Sequence, residues 1–76
     1  MHTDSLVRMA NQIGTFFEAM PERGAALEGI AGHIKRFWDP RMRRELLAHI
    51  DNGGGSELSN VVAEALRRHR RLLEPG

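Results

Sequence analysis

Apolar residues recur with a helical period from the start of the chain: Leu6, Met9, Ala10, Ile13, Phe16, Phe17 and Met20 share one side of a helix within an arc of about 120°. Thr3 is placed to cap this helix, and Asp4 in its first turn suits the positive end of the helix dipole. Pro21 has no N–H to donate to Phe17, so the helix stops there, and Pro21 can open the next one as its first residue. The pattern predicts helices over about residues 4–20 and 22–38. The second carries Ala26, Leu27, Ile30, Ala31, Ile34, Phe37 and Trp38 as its apolar face. Gly29 and Gly32 interrupt it at about 1 kcal/mol each relative to Ala. They lie with Ala25 opposite the apolar face, either as exposed small residues or as a second surface that another backbone can approach closely.

Asp39-Pro40 is the sharpest local signal: Asp caps, and Pro needs no N–H at the first helical position. A third helix is therefore expected over 40–50, with Met42, Leu46 and Ile50 as its core stripe, and at three turns it needs tertiary support. DNGGGS then supplies a flexible loop. Ser56 is expected to cap a fourth helix over 57–73, with Leu58, Val61, Val62, Ala65, Leu66, Leu72 and Leu73 as its stripe and His69 in the centre. Pro75-Gly76 is an expected frayed end. No strand-like alternation and no internal repeat competes. The expected fold is all-α: one domain over 1–76, a small irregular bundle of four helices whose short third helix crosses an end of the first hairpin while the fourth closes the core.

At 76 residues, hydrophobic gain and chain entropy nearly cancel, so such a chain either folds marginally alone or draws stability from a partner. The absence of cysteine removes disulfides, thiol chemistry and Cys-type metal ligation. The opening MHTDSLVRMANQIG lacks the basic and uninterrupted apolar regions of a signal peptide, and no apolar run reaches membrane length, which makes the cytoplasm the expected location. The acids are dispersed; Asp4, Glu22, Asp39 and Glu57 lie near helix starts, where the dipole accounts for them. His2, His33, His49 and His69 are never spaced i,i+4, and no HExxH occurs. No acid–base pair, nucleophile set or metal site can be assembled, so catalytic, cofactor and metal residues are all expected to be absent, and the chain is not expected to be an enzyme.

Ten of the eleven basic residues are arginine, clustered as Lys35, Arg36, Arg41, Arg43, Arg44 and as Arg67, Arg68, Arg70, Arg71. Arginine suits bidentate recognition of carboxylate or phosphate and is enriched at interface hot spots. A solvated face, a docking surface for a protein, and, as the weaker option, a nucleic-acid-binding regulator all remain open; the net charge of +1 argues against the last. Trp38 and Phe37 either fill the core together, or one of them faces outward beside Arg41 and Arg44 as an aromatic–arginine anchor. The candidate partner-binding residues are accordingly Trp38, Arg41, Arg44, Arg36, Gly29 and Gly32. A free-standing homo-oligomer is the other way to cover surplus apolar surface.

Two segments, LVRMANQIGTFF and HIKRFWDPRMRRELLAHI, resemble the delta subunit of the cytoplasmic, molybdenum-containing NAD-dependent formate dehydrogenases, over roughly residues 5–50. Asn11, Gln12 and the run Phe37 to Arg43 fall in the resembling motifs, whereas RRHRRLLEPG has no residue-level counterpart. The resemblance implies a small accessory subunit that stabilises the large catalytic subunit or helps its assembly and cofactor insertion. It also implies that bis-molybdopterin guanine dinucleotide, iron–sulfur clusters, FMN and the NAD site belong to partner subunits, with no cofactor in this chain.

Overall fold

The computed structural model describes residues 2–74; the chain end at Pro75-Gly76 lies outside them. Helices α1 (Thr3–Glu18), α2 (Arg23–Phe37), α3 (Pro40–Asp51), α4 (Asn60–Arg68) and α5 (Arg70–Leu73), with one 3-10 turn over Gly54–Glu57, make up an all-helical bundle. No strand occurs among the described residues.

The caps show where local chemistry decides and where it does not. Asp39 accepts a hydrogen bond from the Met42 N–H at 3.0 Å, and Pro40 opens α3 as its spacing requires. Thr3, by contrast, is already helical: the cap position belongs to His2, whose side chain takes no part and whose carbonyl accepts from the N–H groups of Ser5 and Leu6. Helix α1 ends at Glu18, two residues before the expected stop, because the Met20 N–H turns back to the Phe17 carbonyl. Pro21 does not begin α2. Glu22 takes the cap in extended conformation, and its longer carboxylate reaches the Ala25 N–H at 2.9 Å.

The fourth helix departs most from expectation. Gly53 takes φ +92°, and the chain then winds Ser56 into the 3-10 turn instead of using it as a cap. Leu58 is extended and buried, and α4 begins only at Asn60. The cause is tertiary. The Asn11 side chain on α1 donates to the Glu57 carbonyl at 3.1 Å and accepts from the Ser59 N–H at 2.9 Å, holding this segment across the molecule. A second break at His69 (φ −112°, ψ 28°) separates α4 from α5. It brings Leu73 into the core, leaves Leu72 exposed, and lets Arg70 grip both Asp51 carboxylate oxygens.

Helices α1 and α2 form a hairpin; α3 packs on α1, α4 closes the core against both, and α5 returns onto α2. Leu6, Leu27, Ile30, Ile34, Leu46, Val61, Val62 and Leu73 are fully enclosed. Helices α1 and α4 meet at Gly14, which is buried and where a Cβ would collide with Val62 Cγ2. Val62 is β-branched and enclosed, so it has little room to yield. Gly32 on α2 has no neighbour within 4 Å of such a Cβ.

These two glycines should therefore respond in opposite directions. Gly14→Ala overpacks the α1–α4 contact at about 1–3 kcal/mol, offset only in part by about 1 kcal/mol of helix propensity. Gly32→Ala receives the propensity gain without the collision and should stabilise by about 1 kcal/mol. Thermal melts of the two variants beside the parent check the opposed signs.

Candidate partner-binding surface

The junction between α2 and α3 sends its two aromatics in different directions. Trp38 leaves the helical spiral in extended conformation (φ −93°, ψ 137°), and its indole joins the core at 5% exposure. Phe37, still helical, stands 67% exposed. The outward aromatic of the pair is thus Phe37, not Trp38, because Trp38 has already left the helix as its extended C-cap and its indole turns inward.

Phe37 is one end of a continuous aromatic file. Its ring lies 4.7 Å from that of His33, His33 lies 6.2 Å from Phe17, and Phe17 meets Phe16 edge-on at 5.1 Å. Phe16 is 74% exposed, and Met20, one turn on, is 40% exposed. Beside the file runs an open groove of about 610 Å³, walled by Met9, Ile13 and Phe16 from α1 and by His33 and Phe37 from α2, with Trp38 and Met42 completing its lining. Isolated exposed apolar side chains are ordinary on a soluble protein, whereas a contiguous set around a groove is a candidate contact surface.

The other candidate residues are spread around this corner. Gly29 lies beneath Phe17, whose ring a Cβ would strike, so its small size serves a contact within the chain. Gly32 is open. Arg36 and Arg41 are exposed, one residue before Phe37 and one before Met42, close in sequence to the groove lining. Arg44 is also exposed but lines a separate cleft with Leu47, Ala48, Asp51, Arg70 and Glu74. The six residues therefore do not form one patch.

Arg43 does not belong with the exposed arginines. It is 7% exposed, and its Nε and Nη1 have no hydrogen-bond partner among the described residues; Glu45 Oε2 is likewise buried and unpaired. Arg43 follows from the helical spacing, since it lies three and four residues before Leu46 and Leu47, both core residues. The bridging role of Asn11 has no such local signal. At the C-terminal end, Arg70 is held by Asp51 and Glu74, and Arg68 pairs with Glu64, so part of that basic cluster is neutralised within the chain. His69 lies half-buried at the break between α4 and α5.

No group of three or more His, Asp or Glu side chains converges among the described residues as a metal site would require. No helix among them is long and apolar enough to cross a membrane.

The model of the family described as NADH-dependant formate dehydrogenase delta subunit FdsD matches residues 5–66. This stretch takes in α1 but for its first two residues, α2, α3, the Asn11-held loop and most of α4, and the chain belongs to that family. No curated protein and no solved structure matches the chain.

Across the bundle, Glu64 on α4 accepts from Arg23 on α2, with the Arg23 Nε at 3.1 Å. That hydrogen bond lowers the Glu64 pKa below its ordinary value of 4.5; desolvation opposes the shift, and the charges of Arg23, Arg68 and Arg67 reinforce it. A depressed carboxylate contributes stability that is present above its unfolded pKa and lost as pH falls through the lowered folded value. Glu64→Gln should therefore melt below the parent at pH 7, and the gap should close on acidification below about pH 4.5. Paired melts from pH 7 to pH 3 measure this.

Proposed function

We propose that the chain is a non-catalytic accessory subunit of an NAD-dependent formate dehydrogenase complex, and that it works by binding. Family membership across residues 5–66 carries this reading. The exposed aromatic corner supports it, since Phe16, Phe37 and Met20 would gain most from a partner's surface. In this reading the chain stabilises the large molybdenum-containing subunit or assists its assembly and cofactor insertion, while the molybdopterin, iron–sulfur, FMN and NAD sites reside in its partners. The physical route is linkage: a folded helical surface that binds one state of the large subunit better than others shifts the population towards that state.

Arg36, Arg41, Arg44 and Gly32 are the proposed residues that remain accessible to a partner. Trp38 and Gly29 would act from beneath, Trp38 by supporting the groove and Gly29 by seating Phe17. The location that goes with this reading is the cytoplasm, and nucleic acid is not among its partners.

Two measurements check the reading. Omitting this chain from co-expression of the complex should lower both the molybdenum content of the purified large subunit and formate-dependent NAD reduction, while the chain alone oxidises no formate; unchanged loading and activity without it would remove the accessory role. Arg41→Ala with Arg44→Ala should keep the helical circular dichroism and weaken co-purification, each desolvated arginine contributing about 1–4 kcal/mol. If that variant binds normally while Arg67→Ala with Arg71→Ala does not, docking uses the C-terminal helices instead.

A further inference from the structure

We infer that Arg43 is an anchor for the partner subunit: its guanidinium, buried on the packed face of α3 without a carboxylate of its own, takes an Asp or Glu side chain that the partner brings to the start of that helix. The inference rests on the reading of the chain as a binding subunit and names the chemistry of one contact.

Helical spacing forces the position. Arg43 lies three and four residues before Leu46 and Leu47, which are 1% and 5% exposed, and it is buried with them at 7%. Arginine holds its charge even where water is excluded. Yet Nε and Nη1 are enclosed and unpaired, and the side chain forms no salt bridge among the described residues. Neither acid close to it in sequence pairs with it. Glu45 has its own enclosed, unpaired Oε2, but residues two apart on a helix face different sides, so the two groups do not meet. Asp39 lies one turn before Arg43, and its carboxylate is engaged in capping α3, where it accepts from the Met42 N–H at 3.0 Å.

A cation in that state selects its ligand by charge. A carbonyl oxygen or a water can accept its hydrogen bonds but leaves the charge uncompensated, whereas a carboxylate supplies both acceptor and counter-charge. Water is already stripped from most of this guanidinium in the lone chain, and burial restricts its rotamers, so little desolvation or ordering remains on this side of the contact. Arg41 and Arg44 are exposed and would undergo both on binding. Open surface lies to either side of Arg43. The preceding residue, Met42, lines the groove beside the aromatic file, and the following one, Arg44, lines the cleft that holds Asp51 and Arg70. A partner seated over either opening is one residue from Arg43 along the helix.

The test uses the full chain, alone and co-expressed with the formate dehydrogenase subunits. Arg43→Met keeps a flexible side chain and removes the charge; it should raise the melting temperature of the lone chain by about 4 °C or more and weaken co-purification at least about tenfold. The opposed signs are the signature of a cation whose counter-charge lies in the partner. Arg43→Lys, which keeps the charge, should lose less binding than Arg43→Met, and an equal loss from both overturns the inference. A lower or unchanged melting temperature for Arg43→Met means that the guanidinium is already satisfied within the chain, by Asp39, water or a carbonyl, and also overturns it. A raised melting temperature with unchanged co-purification does the same, while leaving the accessory role standing. Interface acids of the dehydrogenase subunits, located by hydrogen exchange of the complex, are then changed singly to Asn or Gln. One of them should weaken binding as Arg43→Met does and add nothing further in combination with it; full additivity for every acid refutes the pairing. Co-purification of no dehydrogenase subunit with the parent chain removes both this inference and the accessory reading.

Discussion

Helix α1 lies close against α4 at a residue with no side chain, Gly14, where a Cβ would meet Val62, and this close approach helps set how α1 is rotated in the bundle. Leu6, Ala10 and Gly14 recur every four residues and form the face that α1 turns to the core. Once that face is committed to α4 and α2, the adjoining flank of Met9, Ile13 and Phe16 is left at the edge of the core, half-covered at best. The groove is thus a consequence of how α1 is rotated. A large residue at position 14 would push α4 away and roll that flank inward. The groove and the packing of the bundle both follow from how α1 is rotated.

The bundle is short of apolar area, and polar ties across it do part of the positioning. Asn11, one turn before Gly14, holds both ends of the Glu57–Ser59 segment by backbone hydrogen bonds, which sets where α4 starts relative to α1. Arg70 grips Asp51 in two places and so fixes α5 to the end of α3. Such surface pairs contribute little energy individually. Their value lies in geometry: they fix the register of short helices that have too few core residues to choose one register unaided.

What could be read from the sequence follows the range of the interactions involved. Asp39-Pro40 was legible because the cap, the missing N–H and the restriction on the preceding residue all act within four positions. The helical periods were legible because burial repeats along each helix. Thr3 and Ser56 misled because a cap residue type only permits a cap; at Ser56 the Asn11 bridge, 45 positions away in the chain, overrides the local preference. Trp38 and Phe37 could not be told apart by the wheel, since Trp38 is no longer on the helix when its direction is decided. Arg43 was legible by spacing, but its charge drew attention to solvent instead.

Several local rules are broken, and the breaks gather around the start of α3. Phe16 and Phe37 are exposed, and covering each would gain about 1.5–3 kcal/mol. Arg43 and Glu45 keep buried polar atoms unpaired, a cost of about 1–3 kcal/mol for each unsatisfied group. A small chain selected only for its own stability would reverse these features first, by polar residues at the surface and apolar ones beneath α3. All four residues lie within the stretch that the family model matches. Exposed rings and unpaired buried polar atoms leave the lone chain less stable than a sequence of this length could be. That is the pattern expected when the functional state is the bound one, and when binding supplies the free energy that the lone chain gives up.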